Sequence, residues 1–247
     1  MAHLSFNQYL RSIKLNRSKI ESFNKYPFCL SAIKKLSQID FHPKVTFIVG
    51  ENGTGKSTIL EAIAVAYGFN PEGGSRDFNF SSNNTHSELY KYLKLIKGAK
   101  IPKDGFFLRA ESFYNVASNI DELERERPGL LYSYGGLSLH EQSHGESFFS
   151  LFMNRFRGEG LYILDEPEAA LSPSRQMSMI SRIHELVSMG SQFIIATHSP
   201  IIMSYPDSTI YEIKDEICDV EYEETEHYQI MKAFLNNREK MLDILMR

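Results

Sequence analysis

Residues 45–57 read VTFIVGENGTGKS, and this stretch decides the fold. The run VTFIV at 45–49 is short, β-branched and aromatic, the composition of a strand buried on both faces of a parallel sheet. It leads directly into Gly50-Glu51-Asn52-Gly53-Thr54-Gly55-Lys56-Ser57-Thr58, whose first eight residues fit G-x-x-x-x-G-K-[ST]. Over 57–67, Leu60, Ile63, Ala64 and Tyr67 keep helical spacing, and Gly68 stands where a C-terminal cap belongs. Strand, glycine loop and helix thus follow in the order a phosphate-binding loop (P-loop) requires. The glycines let successive backbone N–H groups converge on phosphate oxygens without Cβ obstruction, and the helix start adds the positive end of its dipole. Lys56 is placed to reach β- and γ-phosphates, and the Ser57 hydroxyl to coordinate Mg2+.

Downstream runs extend the same pattern. LYIL at 161–164 predicts a second buried strand that ends in Asp165-Glu166-Pro167, and acids at the carboxyl end of such a strand enter the ligand crevice of an open α/β sheet. Asp165 suits Mg2+ through its water shell, and Glu166 suits orientation of an attacking water. The plainer reading of the pair is a cap on the next element. QFIIAT at 192–197 predicts a third strand, followed by His198 within reach of a γ-phosphate. FFLRA at 106–110 predicts a fourth. Ser172 as N-cap, Pro173 at the first helical position and Gly190 past the last turn bound a helix carrying Ile180, Ile183 and Val187. The alternating runs 209–213 and 217–222 around Lys214-Asp215-Glu216 predict a hairpin, with a C-terminal helix from about Tyr228. The expected fold is α/β, a P-loop NTPase with a mostly parallel sheet and an antiparallel edge.

The remaining composition narrows the function classes. In 247 residues the formal net charge is −4, so no global field attracts nucleic acid or anionic lipid. Residues 1–110 carry 16 basic and 8 acidic side chains, and residues 111–247 carry 11 and 23. Two cysteines, Cys29 and Cys218, give neither a disulfide framework nor a zinc site and fit the reducing cytoplasm. No apolar run approaches the roughly 20 residues that span a bilayer, and the N-terminus lacks a signal-peptide core, so neither export nor membrane insertion is expected. Thr85 and Glu88 form a capping-box pattern that predicts a helix over 88–97, with Lys91, Lys94 and Lys97 opposite Leu89, Leu93 and Ile96. Such a lysine row reads first as a solvated face and second as a contact to nucleic-acid phosphates. Residues 112–157 have mostly helical periodicity, broken at Pro128-Gly129 and Gly135-Gly136.

The ordered set GENGTGKST, QSHGES, LYILDEPEAALSP and ATHSP, spread over residues 45–200, resembles the ABC-type ATPase head, in particular small ATPases related to the SMC and recombination-repair ATPases. The resemblance implies a single ATPase domain over 1–247 with an inserted helical signature subdomain at 112–157. It also implies a head-to-tail homodimer that binds and hydrolyses ATP with magnesium at composite sites. Ser143, Gly145 and Glu146 of QSHGES would then meet the partner's γ-phosphate at the start of a helix near Ser147. Three positions depart from the family pattern. His144 replaces the first signature glycine, Ser172 replaces an aspartate, and Glu111 takes the usual glutamine position, where it can still bind Mg2+ or water. Tyr26 and Phe28 are each open to adenine stacking or to core packing. The process coupled to the cycle stays open between an unassigned protein partner, a membrane transporter's nucleotide-binding subunit, and a DNA-repair or phage-defence assembly.

Overall fold

The computed structural model describes residues 8–75, 87–126 and 128–247. In chain order the elements are β1 (Leu10–Leu15), α1 (Ser31–Lys35), β2 (Gln38–Asp40), β3 (Val45–Gly50), α2 (Lys56–Tyr67), β4 (Leu93–Lys97), β5 (Asp104–Arg109) and α3 (Phe113–Glu126). They continue with α4 (His144–Arg155), β6 (Gly160–Asp165), α5 (Pro173–Ser188), β7 (Gln192–Ala196), α6 (Pro200–Met203), β8 (Ser208–Ile213), β9 (Ile217–Val220), α7 (Glu226–Asn236) and α8 (Arg238–Leu245).

Six strands form the main sheet in the order β5-β6-β7-β3-β8-β9, parallel throughout except for the antiparallel edge pair β8-β9. The continuous apolar strands are divided between two cores by the period of two along each strand. Val45, Phe47 and Val49 of β3 join Phe106, Tyr162, Leu164 and Ile195 against α3, α4 and α5. Ile48 of the same strand joins Phe107, Ile163 and Ile194 against α1 and α2. The helices of 113–155 share the first of these cores, contributing Val116, Ile120, Phe148 and Phe152. Where α4 ends, Arg155 pairs with both Asp104 oxygens at 2.9 and 3.0 Å, and the Tyr162 hydroxyl donates to Asp104 at 2.8 Å.

The expectation of a helix over 88–97 is corrected. Residues Glu88–Tyr92 make a short 3-10 turn and Leu93–Lys97 is a strand, antiparallel to β1 in a second sheet of order β2-β1-β4. The N-cap is Ser87, whose hydroxyl accepts from the Leu89 N–H at 3.2 Å. Thr85 lies outside the described residues. The run LKLIK loses its helical reading to pairing with β1, a long-range contact that local spacing does not register. Lys91 therefore sits in the turn and Lys94 and Lys97 on a strand, so the three do not share a helix face.

The small sheet is tied to the main one by Gln192, fully buried at the start of β7. Its Oε1 accepts from Tyr9 and Leu10 N–H at 3.0 Å each, and its Nε2 donates to Leu10 O at 2.8 Å and His42 O at 3.0 Å. Other boundaries also move. α4 begins at His144 rather than near Ser147, β9 ends at Val220, and the C-terminal helix is two helices that start at Glu226 rather than Tyr228.

Candidate nucleotide site

The P-loop joins the carboxyl end of β3 to the first turn of α2. Gly50 has φ +144°, and a Cβ there would lie 2.4 Å from Ile213 O on the neighbouring strand, so no side chain fits. Gly55 has φ +103° and caps α2, which places Lys56 at its first position. Lys56 is buried, and its ammonium donates to Gly50 O at 2.8 Å and Glu51 O at 3.1 Å. Those two bonds use two of its three protons. Burial pulls its pKa below the ordinary lysine value, an effect offset by Glu166 and Asp165. Thr54 hydroxyl donates to Glu51 O at 2.8 Å and fixes the tip of the loop, where Asn52 and Gly53 are exposed. A cleft of about 240 Å³ opens here, walled by Lys56, Ser57, Thr58, Tyr26 and Glu166.

β7 lies between β3 and β6, yet Asp165 at the end of β6 reaches the P-loop: Ser57 Oγ donates to its Oδ1 at 3.0 Å. The strand ends are stitched by backbone bonds from Ala110 N to Asp165 O at 3.2 Å and from Glu166 N to Ala196 O at 3.0 Å. Desolvation pushes the Asp165 carboxyl up to about 7, against the pull of Arg109 and Ser57. A buried carboxylate that is costly to ionise, with a hydroxyl beside it, suits a hard divalent cation that takes few protein oxygens and several waters.

Glu166 adopts a left-handed conformation, φ +52°, and its half-exposed carboxylate faces the cleft. Its Oε1 lies 3.3 Å from His198 Nε2. That nitrogen is buried and has no hydrogen bond of good geometry, so it is an orphaned polar atom next to the cleft, as a phosphate-facing donor would be. The His198 pKa is lowered by burial first and by Lys56 second, while Glu166 raises it. The loop is anchored by Glu168, whose carboxylate accepts the His198 N–H and is itself raised in pKa by burial.

The other sequence candidates are placed differently. The Glu146 carboxylate accepts from Ser143 N at 3.1 Å and Oγ at 2.6 Å, capping α4, and Arg175 lies 3.8 Å away. A Cβ on Gly145 would lie 2.4 Å from Ala170 O. Among the described residues no hydrogen bond or ion pair joins Ser143, Gly145 or Glu146 to the P-loop of the same chain. Glu111 is exposed, and its carboxylate pairs with Arg109 Nη2 at 3.0 Å rather than meeting Ser57 and Asp165. Tyr26 is exposed at the cleft, its hydroxyl 3.2 Å from Thr58 Oγ1, whereas Phe28 is buried edge-on to Tyr92.

Sequence reading missed Arg109 and His227. Arg109 reaches Glu61 at 2.6 Å, Glu111 at 3.0 Å and Asp165 at 3.7 Å, so one cation serves three carboxylates. An arginine closing an apolar strand was the available signal. His227 comes from α7, far along the chain, and no local pattern marks it.

This α/β sheet with a P-loop at its carboxyl edge defines a P-loop nucleotide-binding domain. The AAA ATPase domain family matches residues 75–203, more than half of the chain, and the chain belongs to it. A second family, described as AAA domain, matches residues 18–125. The chain is similar to the cytochrome c biogenesis ATP-binding export protein CcmA of Legionella pneumophila (strain Paris), 27% identical over 72% of this chain and 92% of that protein. It is 25% identical to the ribose import ATP-binding protein RbsA of Yersinia pestis bv. Antiqua (strain Antiqua) over 81% of this chain, and spans only 40% of that protein's length. A 92-residue stretch is 35% identical to the DNA double-strand break repair Rad50 ATPase of Aeropyrum pernix, covering 37% of this chain and 10% of that one. Among the described residues no helix is long and apolar enough to cross a membrane.

Proposed function

We propose that the chain binds ATP with Mg2+ in the P-loop cleft and hydrolyses it at composite sites of a head-to-tail homodimer, driving a protein partner. The reading rests on one observation: Lys56, Ser57 and Glu166 line a single cleft, with Asp165 behind it, 3.0 Å from Ser57, and His198 beside it, 3.3 Å from Glu166. Ser57 and Asp165 would hold Mg2+, which would supply positive charge to offset the negative charge of the transferring phosphoryl group. Glu166 orients the attacking water and takes up its proton, Lys56 holds the β- and γ-phosphates, and His198 donates to the γ-phosphoryl oxygens. Ser143, Gly145 and Glu146 would close over the partner's nucleotide from the N-terminus of α4. All of 1–247 is taken as one ATPase domain with the helical piece 112–157 inserted, working in the cytoplasm, where the exposed Cys29 and Cys218 stay reduced.

The test is a phosphate-release assay with MgATP on wild type, Lys56→Ala and Glu166→Gln. Hydrolysis by wild type alone supports the reading, and none by wild type, or equal rates in all three, sinks it. Likeness to import and export ATP-binding proteins favours a membrane-transport partner as the second reading. Co-purification from the native host decides the partner: a permease supports the transport reading, and a soluble protein such as a nuclease or toxin supports the first.

A further inference from the structure

His227, at the second position of α7, lies beside His198 and the start of the P-loop. Its Nε2 lies 3.1 Å from His198 Nδ1, with the rings edge-to-face at a centroid separation of 4.9 Å. The same Nε2 lies 3.5 Å from Gly50 O, the first carbonyl of the P-loop, which also accepts from Lys56. Hydrogen-bond chemistry leaves one consistent assignment for two neutral rings. A carbonyl oxygen only accepts, so the His227 nitrogen facing Gly50 carries the proton. The same N–H is shared with the nearer His198 Nδ1, which must offer a lone pair. A neutral imidazole with a bare Nδ1 carries its proton on Nε2. His198 Nε2–H therefore faces the Glu166 carboxylate and the cleft, in the orientation that donates to an anion. The opposite tautomer would set two lone pairs against each other at Gly50 and two more at Glu166. Burial lowers the His198 pKa and so favours the neutral ring.

We propose that His227 is a positioning residue that fixes His198 as the Nε2–H tautomer by donating to its Nδ1, making α7 part of the catalytic apparatus. The kinetic consequence rests on the ATPase reading above; the tautomer does not.

Long-range 1H–15N NMR of the full chain at pH 8, with the His198 signals assigned by their loss in His198→Ala, reads the tautomer directly. Wild type should show a bare Nδ1 and a protonated Nε2 on His198. His227→Phe keeps the ring packing but removes the donor, and should shift His198 to a mixture of tautomers. His227→Gln, which retains an N–H near the Nε2 position, should keep the wild-type pattern. In the MgATP assay His227→Phe should lower kcat about 10–100-fold with ATP affinity unchanged, and His227→Gln should recover most of the loss. On a His198→Ala background His227→Phe should cost nothing further, because its effect passes through His198. A protonated Nδ1 in wild type, an unchanged tautomer in His227→Phe, or a further loss without His198 would each overturn the proposal. The wild-type spectrum requires no substitution to fold. A wild type that shows the expected tautomer but does not hydrolyse ATP would defeat the ATPase reading and leave the tautomer assignment standing.

Discussion

Lys56 and Asp165 are buried ionisable groups of opposite type, and each has a distinct measurable consequence. The Lys56 ammonium already sits on two P-loop carbonyls, so a phosphate would meet a cation held in place at no ordering cost. Lys56→Ala removes a charge-assisted contact of about 1.5–3 kcal/mol, so ATP affinity should fall at least tenfold in titration calorimetry. Unchanged affinity would take Lys56 out of the phosphate cage. Asp165 behaves in the opposite sense to a paired surface carboxylate. Its folded pKa is raised to about 7 from an ordinary 3.8, so the folded state holds a proton that the unfolded chain releases. Its stability contribution is full below the unfolded value and is lost as pH rises through 7. Without nucleotide or metal, Asp165→Asn should be more stable than wild type in denaturant unfolding at pH 8, by at most ~4 kcal/mol, with the gain shrinking toward pH 4. A gain independent of pH would mean that desolvation of this carboxylate is not what burdens the empty site.

Elements were legible where their pattern is local, and lost where a distant partner decides. β3, β6 and β7 announce themselves as mostly apolar runs leading to Gly50, Asp165 and, two residues past the strand, His198, because both faces are buried at every position. β4 has alternation weak enough to pass for a helix, and it becomes a strand only because β1, some eighty residues earlier, offers an open edge. The catalytic candidates were legible for the same reason as their strands, since they stand immediately after them. His227 and Arg109 were not, because their partners lie on other elements. At α4 two local rules conflict, and an experiment decides between them. Gly145 is helical, where alanine is intrinsically better by about 1 kcal/mol, but its Cβ would lie 2.4 Å from Ala170 O. The contact is with backbone, which does not swing aside. Gly145→Ala should therefore lower the melting temperature by several degrees, and a rise would show that the turn at Pro167–Ala170 yields easily.

At the scale of the whole molecule, the question is whether one chain makes a complete site. The cleft gathers Lys56, Ser57 and Glu166, backed by Asp165 against Ser57 and His198 against Glu166, while Ser143 and Glu146 cap their own helix and, among the described residues, make no hydrogen bond or ion pair to the P-loop of the same chain. Under the composite-site proposal, the α4 N-terminus of a second copy supplies the missing wall. Ser143→Arg should then leave ATP binding intact and abolish hydrolysis, because a bulky cation blocks closure where the helix start would approach nucleotide. The complementary experiment uses the amide of nearly the same shape at Glu166. Glu166→Gln keeps the cleft but cannot take a proton from water, so hydrolysis should fall about 10²–10⁴-fold. Nucleotide then persists, and since it binds both copies, it holds the dimer together by mass action. Light scattering after size exclusion should report twice the protomer mass for Glu166→Gln with MgATP and a return toward monomer with MgADP. Combining the two substitutions provides the decisive control. Ser143→Arg with Glu166→Gln should bind MgATP and remain monomeric, because uncleaved nucleotide cannot bridge to a blocked partner. A double variant that still dimerises on ATP would place the interface elsewhere and remove QSHGES from the site.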